Sequence, residues 1–194
     1  MPFFLRKITR PKWEPNGKLS EDVNSLQADV VSECLKTKGN TLSVWFTETN
    51  DWNGDQVKKI LGALFSTMPG PDRADVLFID EEKVKEKGIG VEDTQGKSPA
   101  LDDINDLHKD FSELNWALMQ DVADLILNEL KDVKIKEDQN KALKHKGAAQ
   151  TVYVQAKRYS EKNVKNLVKE QLALGNIIPD KLHERWKKHL GLDA

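Results

Sequence analysis

The sequence has a single cysteine and no long apolar run, and each shortage limits what the protein can be. Cys34 has no second cysteine to pair with, so an internal disulfide is excluded and a reducing compartment is favoured. No stretch approaches the roughly 20 apolar residues of a transmembrane helix. Residues 1–10 lack the apolar core and the cleavage site of a signal peptide. We therefore expect a cytoplasmic protein that does not enter a membrane.

The motifs of common active sites are also missing from the chain. None of the four histidines pairs with another at the i, i+4 spacing, and neither CxxC nor HExxH occurs, so no zinc signature is present. No GxSxG marks a nucleophilic serine. The loop after residue 48 has one glycine, Gly54, close to Asp51 and Asp55, whose carboxylates would repel a phosphate. These features favour a protein without catalysis of its own.

Charge is unevenly distributed, although the whole chain has a net charge of only −2. Residues 71–130 hold 6 basic and 16 acidic residues, whereas residues 131–194 hold 15 basic and 8 acidic residues. One interpretation is that the acidic middle and the basic end neutralise one another within the fold. The other is that the basic third forms a surface for nucleic acid or for an acidic protein.

Apolar spacing in the first half predicts alternating strands and helices. Residues 3–8, 41–48 and 74–79 are short apolar segments that favour β-strands. Apolar residues at helical spacing predict one helix from Ser20 to Leu35 and a second helix over residues 57–68. This order predicts a small mixed sheet with packed helices over residues 1–88.

The second half is predicted to be a mainly helical region, residues 101–194, joined to the first by a linker. Residues 89–100 are polar and rich in glycine, as linkers are. Apolar residues then keep helical register over residues 101–130, which predicts a helix of about 45 Å. A helix of that length must pack on other helices or on a second copy, so a homodimer through it is one expectation. Together with a strand at 151–157, this predicts the α+β fold class.

The stretch TVYVQAKRYS, residues 151–160, carries the strongest chemical signal. Strand-favouring residues run into Gln155-Ala156-Lys157, and the stretch resembles the catalytic strand of Mrr-type restriction endonucleases. The resemblance implies a metal-dependent nuclease in which Asp132 binds Mg²⁺, Gln155 completes the motif and Lys157 stabilises the phosphoryl charge. From the residues alone, the same stretch is also a structural strand whose Ser160 caps the next helix, and this interpretation is preferred. We expect Asp132 to lie at or after the end of the long helix, too far away to share a metal with Gln155.

Four side chains are candidates for contacting a partner. Trp52 lies in the polar loop TNDWNGD, and aromatic residues on polar loops often anchor partners. Arg158, Tyr159 and Trp186 lie in the basic C-terminal third. The leading prediction is a non-catalytic intracellular protein-binding or accessory module, of the immunity-protein, antitoxin or complex-subunit type, that needs no cofactor. The alternatives are the Mg²⁺-dependent nuclease and a nucleic-acid-binding protein that uses residues 131–194.

Overall fold

The computed structural model describes residues 1–145 and 155–192, with side chains described except for those of residues 133–145. Within them, six strands form one sheet in the order β4-β5-β2-β1-β3-β6, and every neighbouring pair is antiparallel. The strands are β1 Phe3–Ile8, β2 Leu42–Thr47, β3 Ala74–Asp80, β4 Gly90–Asp93, β5 His108–Ser112 and β6 Ala156–Tyr159. The three strands predicted in the first half are confirmed. The α+β class is confirmed too, although the sheet is antiparallel rather than mixed.

Helices cover both faces of this sheet. They are α1 Arg10–Trp13, α2 Asp55–Ser66, α3 Glu81–Glu86, α4 Asp102–Asn105, α5 Trp116–His145, α6 Glu161–Ala173 and α7 Glu184–Leu190. Single turns of 3-10 or π-helix occur at Pro15–Gly17, Val23–Ser25, Val30–Cys34 and Pro179–Lys181. None of the described helices combines the length and the apolar character that crossing a lipid bilayer requires.

The first face of the sheet packs against α5 and the segment that precedes β2. Because side chains alternate along a strand, Phe4, Val44 and Leu77 all point to this face. They meet apolar side chains of α5, and Trp13 and Val30 close the same core. The buried carboxylate of Glu129 in α5 accepts a hydrogen bond from Lys83 Nζ at 2.6 Å, which ties α5 to α3.

The second face packs against α2, α4, α6 and α7. Leu5, Val76 and Phe78 point to this side and meet Ile60 and Leu61 of α2. The two longer helices of the layer approach closely, since a Cβ at Gly62 would lie 2.6 Å from Gln171 Cγ in α6. The absence of a side chain at Gly62 therefore sets how near α6 can lie to α2.

Residues 89–100, predicted to be a linker, are built into the same sheet as the segments on either side. This segment contributes β4 to the sheet, and the Ser98 hydroxyl donates to Asn105 Oδ1 at 2.7 Å. Strand β5 then pairs with β2, and β6 pairs with β3, so residues 1–88 and 101–194 share one sheet. A polar, glycine-containing edge strand has the composition of a linker, which is why the sequence suggested one.

The prediction of one helix over residues 101–130 is wrong at its start. Residues 108–112 form a strand, Glu113 adopts a left-handed conformation with φ of 53°, and the long helix begins at Trp116. Asn115 caps it by accepting a hydrogen bond from the Leu118 N–H at 3.0 Å. Its apolar side chains pack on the chain's own sheet, so they do not need a second copy to cover them. A homodimer through residues 101–130 therefore stays a prediction.

The helix predicted from Ser20 to Leu35 is replaced by separate turns. Asp22 starts a 3-10 turn by accepting hydrogen bonds from the Asn24 and Ser25 N–H groups, and the Ser25 hydroxyl completes a capping box. Leu26 is extended, and a π-helical turn follows. The guanidinium of Arg6 hydrogen-bonds the Cys34 carbonyl and so holds the end of that turn against β1.

Candidate functional site

Lys157 lies on the second face of the sheet, among aromatic rings. It stands opposite Val76 in the pairing of β6 with β3, and its ammonium is 4.9 Å from the ring centroid of Tyr159. The Trp52 ring is 5.8 Å from the same ammonium and packs against Phe78 at 4.2 Å between centroids. Cation–π contacts at these distances hold a lysine over the electron-rich ring faces. The structure thus brings together three of the residues that the sequence singled out.

A small cleft of about 240 Å³ opens beside this lysine. Its polar lining includes Asn53, Lys58, Asn163, Asn166 and Glu170. Desolvation by burial lowers the pKa of Lys157 below its ordinary value, and the negative charge of Asp51 opposes part of that shift. The cleft offers amide groups and one partly desolvated ammonium.

The three residues of the nuclease hypothesis are not brought together by any contact among the described residues. Asp132 is an exposed residue inside α5, which packs on the first face, and its negative charge helps to raise the pKa of Lys83. Gln155 and Lys157 alternate with Ala156 along the edge strand, and Lys157 lies on the second face. Asp132 lies within the helix rather than at or after its end, because α5 continues to His145. Residues 151–154, part of the predicted strand, lie outside the described residues.

We expect the purified protein not to cleave plasmid DNA or RNA in the presence of Mg²⁺ or Mn²⁺. A nuclease of this kind needs its metal-binding carboxylate and its lysine at one phosphate, whereas α5 and Lys157 lie on opposite faces of the sheet. Gel electrophoresis of both substrates measures the result. Cleavage abolished by Lys157→Ala and by Asp132→Asn would contradict this expectation, and cleavage that survives both changes would come from a contaminant or from another site.

The other three partner-binding candidates have different surroundings. Trp186 is fully buried in the second core and donates its indole N–H to the Met68 carbonyl at 2.9 Å, so it cannot contact a partner in this conformation. Tyr159 is 6% exposed and packs edge-to-face on Phe65. Arg158 is exposed, but its Nε donates to Asp75 at 2.6 Å. Aromatic residues in a basic segment look alike in sequence whether they face a core or solvent.

The sequence analysis missed Trp116, the first residue of α5. Its side chain is 67% exposed, whereas the other four tryptophans are at most 9% exposed. It stands at a small apolar groove of about 50 Å³, here called the Trp116 groove. The groove is lined by Val23, Leu26, Val31, Leu35, Trp116, Met119, Gln120 and Ala123. The signal in the sequence was the position of Trp116 directly after a potential capping residue, Asn115, because the first residue of a helix often faces solvent.

The segments that line the groove carry mostly negative charge. Residues 21–36 and 113–124 contain seven acidic residues and one basic residue, Lys36. Glu33 pairs with Lys12, and Asp121 and Asp124 pair with Lys87. The other four acids, Glu21, Asp22, Asp29 and Glu113, form no ion pair within the described part of the chain. The two segments that contribute most of the groove's lining thus carry a net negative charge, and their acidic residues are here called the acidic surround.

Among the described residues, no group of three or more histidine, cysteine, aspartate or glutamate side chains is arranged to hold a metal ion. The candidate features are the Lys157 cleft and the Trp116 groove. Comparisons of this chain with protein-family models, with curated proteins and with solved structures returned no match.

Proposed function

We propose that this protein is a non-catalytic binding module that docks a partner protein on the Trp116 groove. The observation that carries the proposal is the 67% exposure of Trp116 beside an apolar groove. Tryptophan is enriched among the residues that dominate binding energy at protein interfaces. An exposed tryptophan that adjoins other apolar side chains leaves apolar area in water, and covering it with a partner is favourable.

The partner that fits this groove is an amphipathic helix with basic flanks. Apolar side chains at i, i+3 and i+4 of such a helix would cover Trp116 and the groove beside it. Lysine or arginine residues on its borders would face the acidic surround, where Asp29 and Glu113 have no ion-pair partner among the described residues. Complementary charge of this kind accelerates encounter and disfavours acidic competitors.

A display library of short helical peptides, with the full-length protein as bait, tests the proposal. Enriched peptides should combine an apolar face with lysine or arginine, and their binding should shield Trp116 from a fluorescence quencher such as iodide. Trp116→Ala should weaken them about 30-fold, since a hot-spot side chain contributes at least about 2 kcal/mol. The matched control is Leu174→Ala, because Leu174 is similarly exposed, at 65%, but lies after α6.

Two outcomes would contradict this proposal. One is a set of enriched peptides that bind Trp116→Ala as tightly as the unchanged protein. The other is enrichment of acidic rather than basic peptides. Because Trp116 is exposed, its replacement should leave the melting temperature nearly unchanged, so loss of binding would not reflect unfolding.

A further inference from the structure

Two adjoining clefts carry excess positive charge. They lie in the layer of α6 and α7, whereas the Trp116 groove lies in the layer of α5 on the opposite face of the sheet. One, of about 680 Å³, is lined by Asp72, Arg73, Ser160, Glu161, Lys162 and Lys165. The other, of about 530 Å³, is lined by Lys7, residues 68–73, Glu161, Arg185 and His189. They share Asp72, Arg73 and Glu161, so together they form one continuous open surface, here called the basic clefts.

Among the described residues, no ion pair neutralises the cations of the basic clefts. Five permanent cations, Lys7, Arg73, Lys162, Lys165 and Arg185, face two carboxylates, and His189 can add a charge. None of the five forms an ion pair within the part of the chain that the structure describes. Desolvation by burial and the positive charge of Arg6 lower the pKa of Lys7, and Asp72 opposes the shift. An incoming anion would offset the unpaired positive charge of the basic clefts.

The acidic residues of the middle segment do not neutralise the positive charge of the basic clefts. Most of the ion pairs that acidic residues of 71–130 form are with lysines of their own segment, as in Lys83 with Glu129, Lys87 with Asp121 and Lys109 with Asp93. Arg158 with Asp75 does join the acidic segment to the basic end. The charge asymmetry read from the sequence is thus largely preserved at the surface of the fold.

Buried contacts fix the geometry of the basic clefts. The Trp186 indole holds the Met68 carbonyl at 2.9 Å, which anchors the Pro69-Gly70-Pro71 turn to α7. A Cβ at Gly70 would lie 3.5 Å from Arg185 Cβ, so the turn and that arginine are in near contact. On the other side, the Ser160 hydroxyl accepts from the Asn163 N–H at 3.2 Å and sets the start of α6, which carries Lys162 and Lys165.

We infer that the basic clefts bind the phosphates of a nucleic-acid strand. A single small anion would need donors that converge on one point, whereas these cations are spread over two continuous open clefts. Spread charge suits a ligand with repeating negative groups, and lysine and arginine contacts to phosphates supply sequence-independent affinity. Trp52 and Tyr159 are too buried to stack on bases, so contact through the backbone is expected rather than reading of sequence.

Fluorescence anisotropy with labelled single-stranded DNA, single-stranded RNA and duplex DNA tests this inference. The full chain should bind at least one of them with a dissociation constant of about 10⁻⁶ to 10⁻⁴ M, weakening steeply with salt. Arg73→Gln, Lys162→Gln and Arg185→Gln combined should weaken binding at least tenfold. The slope of log affinity against log salt should fall in magnitude by about 2 to 3, because each lost phosphate contact removes about 1.

The matched control combines Lys97→Gln, Lys169→Gln and Lys181→Gln, which change the net charge equally at exposed positions outside the basic clefts. These changes should have a far smaller effect on affinity.

Equal loss in both triple variants would overturn the inference in favour of non-specific attraction. So would the absence of binding to all three nucleic acids at low salt. Displacement by polyglutamate at equal charge concentration would overturn it in favour of an acidic protein ligand. Trp116→Ala should leave nucleic-acid binding unchanged, which separates this inference from the proposed function.

Discussion

Replacing Ile126 with aspartate is expected to remove most of the protein's free energy of unfolding. Ile126 is fully buried where α5 packs on the first face of the sheet. Removing a buried isoleucine costs about 2 to 5 kcal/mol, and burying an unpaired carboxylate adds to that cost. A domain of this size has a total stability of only about 5 to 15 kcal/mol. The free energy of unfolding, measured by urea titration with circular dichroism, checks the expectation.

Asn128→Asp is the control for this substitution. Asn128 lies two residues further along the same helix but is exposed, so a carboxylate there stays in water. Its effect should stay within about 0.5 kcal/mol. If Ile126→Asp were as stable as Asn128→Asp, the apolar side of α5 could not be covering the sheet.

Replacing Trp186 with alanine is expected to lower the free energy of unfolding by about 3 to 5 kcal/mol. The large side chain fills the second core, and its indole N–H is the donor that satisfies the Met68 carbonyl. For a domain of this size, that loss corresponds to a melting temperature about 6 to 20 °C lower. Differential scanning calorimetry measures the shift.

Trp116→Ala is the natural control, because it removes the same side chain from a largely exposed position. It should shift the melting temperature by no more than about 2 °C. Equal shifts for the two tryptophan variants would contradict the buried role given to Trp186. The pair of variants thus separates a tryptophan that stabilises the fold from one that is available for binding.

Local patterns predicted most of the elements whose contacts are local. The alternation of Leu42, Val44 and Phe46 identified β2 and the side chains that share one of its faces, and the spacing from Val57 to Phe65 identified α2. The capping of α6 by Ser160 was also readable, because a serine followed by a helical pattern is a local signal. In each of these cases the information lay within a few residues along the chain.

Strands β4 and β5, which depend on distant partners, were not predicted. In β5, the single large apolar residue is Phe111, and its spacing from Leu107 and Leu114 matches a helix by coincidence. What makes the segment a strand is pairing with β2 on one side and β4 on the other. The left-handed Glu113 that separates strand from helix has no special residue type to mark it.

The candidate sites were predictable only in part, for the same reason. The sequence singled out Trp52, Lys157 and Tyr159 separately, but nothing in it indicated that the three side chains would meet. The basic clefts join Lys7 and Arg73 to residues about 90 or more positions further along. These residues are close in space because of the order of the strands in the sheet, and that order cannot be predicted from a single sequence.

The strand order also affects how this chain folds as it leaves the ribosome. Strand β1 lies inside the sheet, but the helices α6 and α7, which complete the cover of its Leu5 side, end near residue 190. At a synthesis rate of about 5 to 20 residues per second, that cover arrives roughly 5 to 20 s after β3 is made. During this interval, Val76 and Phe78 stay partly uncovered, and β3 lacks its partner β6. The nascent chain must therefore delay sheet formation or be shielded by a chaperone, since unpaired apolar strands aggregate.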